Sequence, residues 1–171
     1  KDKWITNQKS RKLTHLIRSK YDSIISTSKS INFDNSLLNC RINGLDNLKP
    51  DLFIVDLDLK LKKNLLLNKI IKKRKTYLIT YKKNIKKSQF FKKMGYKLII
   101  IKSLKNKNDF TSLFKKIYKM GYSRLLVESG LTFLNSLLKN KIIHNLYIFK
   151  GNENLGKTGK NNSSTTYIRK F

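Results

Sequence analysis

The sequence predicts an α/β fold in which helices cover both faces of a mainly parallel sheet. Short, unbroken apolar runs alternate with segments whose apolar residues recur at helical spacing. Residues 123–138 show both patterns: an apolar run at residues 125–127 is closed by a Ser-Gly pair, and apolar residues then return at helical spacing. This alternation is typical of parallel strands joined by crossover helices.

The first half of the chain is predicted to contain one helix and two clear strands. The helix is capped by Thr6 and runs to about Ser19, with an apolar stripe along one side. The elements that follow, in order, are a strand at residues 22–27, a polar connection at 28–35, a candidate edge strand at 37–41 and a strand at 52–55.

The second half repeats the alternation of strand and helix. Its cleanest amphipathic helix covers residues 110–118, with Asn108 or Asp109 as the cap and Gly121 as the terminator. The remaining predicted elements are a strand at 76–80, a short helix at 85–94, strands at 97–101, 124–127 and 145–149, a helix from 131 to 138, and a mobile loop at 151–166.

The formal net charge of +29 is compatible with nucleic-acid binding, because Lys and Arg neutralise phosphates. However, the basic residues comprise 33 Lys and only 6 Arg, and they are spread over nearly every segment. The sequence has no alanine, yet it is rich in Lys, Asn and Ile, which A/T-rich codons encode. We interpret the charge as codon bias, with weak, salt-sensitive binding to polyanions as its consequence.

Several classes of protein are not supported by the motifs. The sequence has one cysteine, Cys40, which excludes a disulfide framework and a Cys-based zinc site within this chain. It has no Gly-x-Gly-x-x-Gly, no Gly-x-Ser-x-Gly and no His-Glu-x-x-His. No apolar run approaches the roughly 20 residues that span a bilayer, and we expect a cytoplasmic protein.

Polar residues at the exits of the predicted strands mark a candidate binding edge. Glu128 follows one buried strand and Asp56 follows another, and parallel strands present their carboxyl ends at the same edge of a sheet. The turn at Gly130 leaves the free N–H groups of the next helix pointing at that edge, which suits a phosphate. Asp56 either holds a ribose or caps the following turn; we favour the second.

Two arginines and two histidines complete the candidates from residue chemistry. In a chain that prefers Lys, Arg18 and Arg41 are candidates for a planar fork that grips a phosphate or carboxylate. His15 and His144 have no partners at metal-ligand spacing, and a structural role is favoured for each. The single tryptophan, Trp4, either staples the first helix or stacks on a heteroaromatic ring.

The motifs, in their order and spacing, resemble one family. They are Asp2-Lys-Trp-Ile-Thr6, Ser10-Arg11, Arg18, Asp22 to Ile31, Asp34-Asn35, Leu37 to Arg41, Val55-Asp56, Val127 to Thr132 and Asn154-Leu-Gly156. This resembles the C-terminal reductase domain of the bifunctional riboflavin-biosynthesis deaminase-reductase over nearly the whole chain. The Trp-Ile-Thr and Val-Glu-x-Gly-x-Thr segments are the most specific parts.

The resemblance implies a dihydrofolate-reductase-like fold and NADPH-dependent reduction of 5-amino-6-(5-phosphoribosylamino)uracil to its phosphoribitylamino product, in a homodimer. The cofactor contacts that it implies are Trp4, Ser30, Asp34, Gly130, Leu131, Thr132, Phe133, Leu134, Asn135 and Ser136. The substrate contacts that it implies are Asp2, Arg18, Leu38, Arg41 and Glu128. Asp34 and Glu128 are the candidates for proton transfer during opening of the ribose ring.

The chain also departs from the pattern of the family. Leu131 replaces the usual proline after the glycine, Leu57 replaces a serine expected to face the cofactor, and His144 replaces an aspartate. We expect residues 1–171 to be one reductase domain that lacks the family's first strand, its closing strands and any N-terminal zinc deaminase domain. Two alternatives stay open: a basic RNA-binding α/β protein, and a catalytically inactive reductase homologue.

Overall fold

The structure is a computed structural model, and it describes residues 7–45, 50–149 and 166–169. The helices are α1 Gln8–Ser19, α2 Ser28–Asp34, α3 Leu66–Lys69, α4 Ile85–Lys93, α5 Lys107–Lys119, α6 Leu131–Lys139 and α7 Thr166–Arg169. The strands are β1 Ser23–Thr27, β2 Asp51–Val55, β3 Thr76–Tyr81, β4 Lys97–Ile101 and β5 Leu125–Val127. Short 3-10 turns cover Ile71–Lys73 and Lys82–Asn84.

Within these residues the strands form one five-stranded sheet in the order β4-β3-β2-β1-β5. Every neighbouring pair is parallel, and β1 pairs with β2 on one side and with β5 on the other. The carboxyl ends of β1, β2 and β5 therefore lie side by side, which is the arrangement that the alternation of elements predicts.

Alternate side chains of the strands point to two apolar layers, one on each face of the sheet. One layer packs Ile24 and Leu52 against residues of the first four helices, among them Ile17 and Ile31. The other packs Ile25, Phe53 and their neighbours against α5 and α6. Helices cover both faces, and the predicted fold class is confirmed.

The segment after β1 was expected to be a polar connection, and this prediction is wrong. It is the helix α2, whose N-cap Thr27 accepts a hydrogen bond from the Ser30 amide. Among its apolar residues only Ile31 is buried, while Phe33 is 82% exposed. A seven-residue helix that buries one large side chain has too little apolar periodicity to be recognised in the sequence.

Two predicted strands are absent from the described residues. Residues 37–41 form an irregular loop, because Leu38 has a φ of +48°, which ends an extended run. Residues 145–149 are also irregular, and the side chains of Tyr147 and Ile148 are largely exposed. Apolar residues of strand type indicate a strand only where a partner strand pairs with them.

The helix caps lie near their predicted positions, with two corrections. Asn7 caps α1 by accepting from the Ser10 amide, and Thr6 is outside the described residues. Asn106 caps α5, and Asp109 is the third helical residue, whose carboxylate closes a capping box. The predicted loop at 151–166 lies outside the described residues except for its last position, Thr166, which begins α7.

Candidate active site

A cleft of about 1230 Å³ runs along the carboxyl ends of β1 and β5 and over the two helices that follow them. Its walls are rich in hydroxyl groups and in cationic side chains. The lining residues are Arg18, Ser26, Thr27, Ser28, Lys29, Ser30, Asn32, Phe33, Asp34, Ser36, Leu38, Lys60, Lys62, Glu128, Ser129, Gly130, Leu131, Thr132, Phe133 and Ser136. The position of the cleft matches the edge that the sequence predicts.

At one end of the cleft, Arg18 and Glu128 form a bidentate ion pair. The Arg18 Nε donates to Glu128 Oε1 at 2.7 Å, and one terminal nitrogen of Arg18 donates to Glu128 Oε2 at 2.6 Å. The other terminal nitrogen donates to the carbonyl oxygen of Asn39 at 3.0 Å. Since both carboxylate oxygens accept from one guanidinium, this geometry fixes the orientation of the Glu128 carboxylate.

Along the middle of the cleft, α2 and α6 approach each other at Ser30 and Gly130. The Gly130 amide donates to Ser30 Oγ at 2.9 Å, and Thr27 Oγ1 lies 3.0 Å from the same oxygen. Gly130 is the N-cap of α6, so this hydroxyl sits where the positive end of the helix dipole lies. The arrangement can hold an anion at the α6 N-terminus.

Asp56 is buried and serves the loop after β2. Its Oδ1 accepts from the Ser28 hydroxyl at 2.8 Å and from the Lys60 amide at 2.8 Å, and its Oδ2 accepts from the Leu61 amide at 2.9 Å. Both oxygens are engaged within the chain, and the side chain is absent from the cleft lining. The capping interpretation of Asp56 is therefore right, and the ribose interpretation is not supported.

His15 lies beside the Arg18 pair and contacts the loop that follows Leu38. Its Nδ1 is 3.1 Å from the Asn39 carbonyl oxygen and 3.3 Å from the Arg41 amide nitrogen. Burial, followed by the charges of Arg18 and Arg41, lowers the pKa of His15 below its usual value of 6.5. The contacts agree with the structural role favoured for this histidine.

The other predicted site residues fall into three groups. Ser30, Asp34, Leu38, Gly130, Leu131, Thr132, Phe133 and Ser136 line the cleft. Leu134 and Asn135 lie on α6 but not on the cleft wall, and Arg41 is exposed in the 37–41 loop, also outside the cleft lining. Asp2, Trp4 and the segment 154–156 lie outside the described residues.

Sequence reasoning missed Arg74, whose buried guanidinium holds the loop that carries Leu38. Its one available signal was the scarcity of arginine, which singled out Arg18 and Arg41 for the same reason. The cleft lysines, Lys29, Lys60 and Lys62, were also missed, because nothing distinguishes them from the chain's other lysines.

The described ranges contain neither a membrane-spanning helix nor a metal-binding cluster. No helix among these residues is long and apolar enough to cross a membrane. No group of three or more potential ligands from His, Cys, Asp and Glu is placed to hold a metal ion there.

The parallel sheet, the helices on both faces and the cleft across the carboxyl edge define a dihydrofolate-reductase-like α/β domain. The model of one family, the RibD C-terminal domain, matches residues 1–165. The chain belongs to that family.

Similar proteins give the same result. The chain is 31% identical over 186 residues to the riboflavin biosynthesis protein RibD of Buchnera aphidicola subsp. Baizongia pistaciae, with 94% of the chain and 45% of that protein covered. It is 29% identical to a 5-amino-6-(5-phosphoribosylamino)uracil reductase of Buchnera aphidicola subsp. Acyrthosiphon pisum, covering 92% of the chain and 79% of that protein. The chain thus spans less than half the length of the RibD relative.

Among solved structures, Acinetobacter baumannii RibD (form 1) superposes with a TM-score of 0.67 at 17% identity. The superposition covers 94% of this chain and 46% of that one. At this level of identity the likeness shows the fold, which agrees with the sheet order and the two helical layers described above.

Proposed function

We propose that this chain is the NADPH-dependent reductase that converts 5-amino-6-(5-phosphoribosylamino)uracil to 5-amino-6-(5-phosphoribitylamino)uracil in riboflavin biosynthesis. The observation that carries the proposal is the Arg18–Glu128 ion pair in the same cleft as the N-terminus of α6. A carboxylate paired with a guanidinium and an anion site in the same cleft suit a polar, phosphorylated substrate next to a dinucleotide. A relative that the chain matches over most of its length is named for this reaction.

The residues around α6 fit a nicotinamide dinucleotide. Hydroxyl groups of Ser30 and Thr132 line the cleft beside the free amides at the start of α6, which can donate to a pyrophosphate. Gly130 has no side chain to obstruct that approach. When bound, the cofactor supplies the hydride, and the protein holds the nicotinamide C4 against C1 of the sugar.

The substrate is assigned to the end of the cleft lined by Leu38 and Glu128, with Arg41 in the loop just beyond Leu38. Arg18 is committed to Glu128 and Asn39, so Arg41, whose side chain is exposed, is the better candidate to hold the sugar phosphate. The Glu128 carboxylate can accept a hydrogen bond or a proton from the substrate. A proton donated to the ring oxygen as the ribose opens then comes from Asp34, which lines the same cleft, or from water.

A fluorescence titration tests this function directly. Trp4 is the only tryptophan of the chain, and the family resemblance assigns it to the cofactor. NADPH, NADH and an RNA oligonucleotide are added in separate titrations at moderate salt to the protein that contains this chain. Saturable quenching by NADPH, weaker quenching by NADH and none by RNA supports the reductase. A salt-sensitive response to RNA alone supports the RNA-binding alternative.

The inactive-homologue alternative rests on Leu57 and Leu131. The Leu57 side chain packs against the apolar layer under α5, and it is absent from the cleft lining, so it does not obstruct the cofactor. Leu131 does line the cleft. Stoichiometric cofactor binding without turnover would favour the inactive homologue, and turnover with the phosphoribosylaminouracil would exclude it.

The proposal extends to the setting of the enzyme. We expect it to act in the cytoplasm as a homodimer, and as part of a multifunctional protein that resembles RibD. Sedimentation of the full-length protein at several concentrations tests the dimer, because a dimer shows a mass twice that of the chain.

A further inference from the structure

Arg74 is a buried cation whose role the proposed chemistry does not use. It lies between the 3-10 turn Ile71–Lys73 and β3, and only 8% of its surface is exposed. No carboxylate forms an ion pair with it among the described residues, and burial lowers its pKa to about 10. The charge of Asp51 opposes this lowering but is the smaller effect. Burying a charged group without a contacting counter-charge is costly, so the position calls for a physical reason.

The reason lies in what the guanidinium binds. One terminal nitrogen donates to the carbonyl oxygens of Leu38 at 2.7 Å and Pro50 at 3.1 Å, and the other donates to the carbonyl oxygen of Leu37. One planar group therefore ties the 37–38 loop to the lead-in of β2. Lysine has a single ammonium on a flexible stem and does not reproduce this fork.

The loop that Arg74 holds forms one wall of the cleft. Leu38 lines the cleft with a left-handed backbone, φ +48°, a conformation that an L-residue adopts only when its surroundings impose it. The next carbonyl along the chain, that of Asn39, accepts from Arg18 at 3.0 Å, and Arg18 in turn holds Glu128. Arg74 is thus connected through the Leu38–Asn39 backbone and Arg18 to the carboxylate of the site.

We propose that Arg74 is a positioning residue for the substrate: it fixes the Leu38–Arg41 wall and, through Asn39 and Arg18, the orientation of Glu128. This inference rests on the proposed function and assigns a further residue to the same site. Arg74 does not itself line the cleft. Its loss should therefore weaken binding of the phosphorylated pyrimidine and leave binding of the dinucleotide, which lies against α2 and α6, unchanged.

The test uses the full-length protein with Arg74→Met, the conservative Arg74→Lys, and Asn106→Ala as a control. The Asn106 side chain accepts from the Asp109 amide at 3.0 Å at the start of α5, a helix that contributes no residue to the cleft lining, so its variant reports the effect of losing an internal hydrogen bond away from the cleft. The measurements are kcat, the KM for the phosphoribosylaminouracil, the KM for NADPH, and the amide hydrogen exchange of residues 37–41. We expect Arg74→Met to raise the KM for the phosphoribosylaminouracil by about tenfold or more, with faster exchange of the loop. Arg74→Lys should do so to a lesser extent.

The outcomes separate positioning from general stabilisation. A fall in kcat with both KM values unchanged, as loss of folded protein produces, overturns the inference, as does an unchanged rate of loop exchange. If Arg74→Met does not fold, Arg74→Lys carries the test alone. A wild-type protein without turnover or substrate binding overturns the proposed function and this inference with it. An active wild type with unaffected variants overturns this inference only.

Discussion

At the scale of single residues, the pairing of Arg18 with Glu128 decides what each can do. Guanidinium donors satisfy both oxygens of the carboxylate, and the third donation, to Asn39, leaves Arg18 little capacity to grip a phosphate. The sequence analysis identified Arg18 and Glu128 as site residues, but it gave Arg18 and Arg41 the same role, that of binding a phosphate or carboxylate. The roles of the two arginines differ only in the folded structure, where Arg18 on α1 meets Glu128 at the end of β5. Sequence reasoning could not pair Arg18 with Glu128, because they lie 110 residues apart in the chain.

Glu128→Gln and Arg41→Ala should each abolish turnover while leaving the protein folded. Glutamine keeps the shape of Glu128 but removes the charge that faces Arg18, and Arg41→Ala removes the exposed guanidinium assigned to the sugar phosphate. The measurements are steady-state rates and a circular dichroism melting curve for each variant. Full activity of both variants would show that the site is assigned wrongly.

Gly130→Ala separates the fold from cofactor binding. Gly130 has a φ of −65°, which any residue adopts, and an added Cβ would lie 3.5 Å from Ser30 Oγ, an ordinary contact. We expect a loss of stability of at most about 1 kcal/mol, since alanine is a poorer N-cap than glycine. The Kd for NADPH should rise by about tenfold, because a methyl group then stands between the α6 amides and the pyrophosphate. An unchanged Kd would place the dinucleotide elsewhere.

His15 makes the stability of the fold depend on pH. Its pKa is lowered in the folded state, so below pH 6.5 the unfolded chain takes up the proton first. The contribution of neutral His15 to the free energy of unfolding is complete above pH 6.5, and it is lost as the pH falls from there toward the pKa of the folded state. His15→Gln should therefore reduce the difference between the free energies of unfolding at pH 7.5 and pH 5.5, measured with urea. An equal difference in both proteins would contradict the lowered pKa.

At the scale of elements, the sequence analysis predicted well the strands whose side chains form the apolar core. Strand β4 agrees with its prediction residue for residue, and β2, β3 and β5 differ by one residue at an end. Their apolar runs contribute to the two apolar layers, and β2 and β3 are buried on both faces over most of their length. The failures are elements that bury little: α2 buries one large apolar side chain, and residues 145–149 have no partner strand among the described residues. The cleft is therefore poorly predicted as well, since α2 forms much of its wall and the 37–41 loop contributes Leu38.

The cap of α5 offers a test at this scale with an internal control. Asn106→Ala removes the side chain that accepts from the Asp109 amide and should lower the free energy of unfolding by about 1 kcal/mol. Asn108→Ala changes the same residue type within the first turn and should be neutral or slightly stabilising, because alanine is the better helix former. Chemical denaturation measures both variants. A larger loss of unfolding free energy for Asn108→Ala than for Asn106→Ala would indicate that Asn108 is the cap, as the sequence predicted.

At the scale of the whole molecule, the net charge of +29 separates two kinds of binding. Lysines line the cleft but also cover the rest of the chain, so RNA should bind weakly and without sequence preference. Its association constant should fall by about 10³-fold or more between roughly 50 and 200 mM salt. NADPH meets fewer charges within a defined cleft and should lose much less affinity over the same range. Titration of both ligands at each salt concentration checks this, and equal losses would favour a general polyanion surface.

Strand β1 pairs with β2 on one side and with β5 on the other, so one side of the sheet is completed only by a late segment of the chain. Arg18 precedes Glu128 by 110 residues. At ribosomal rates, roughly 5–20 seconds of synthesis separate the two residues. During that interval β1 has an open edge and the carboxylate partner of Arg18 does not yet exist. The cleft is therefore among the last features to form on the nascent chain, and folding during translation exposes an incomplete sheet edge that is prone to pairing with other strands.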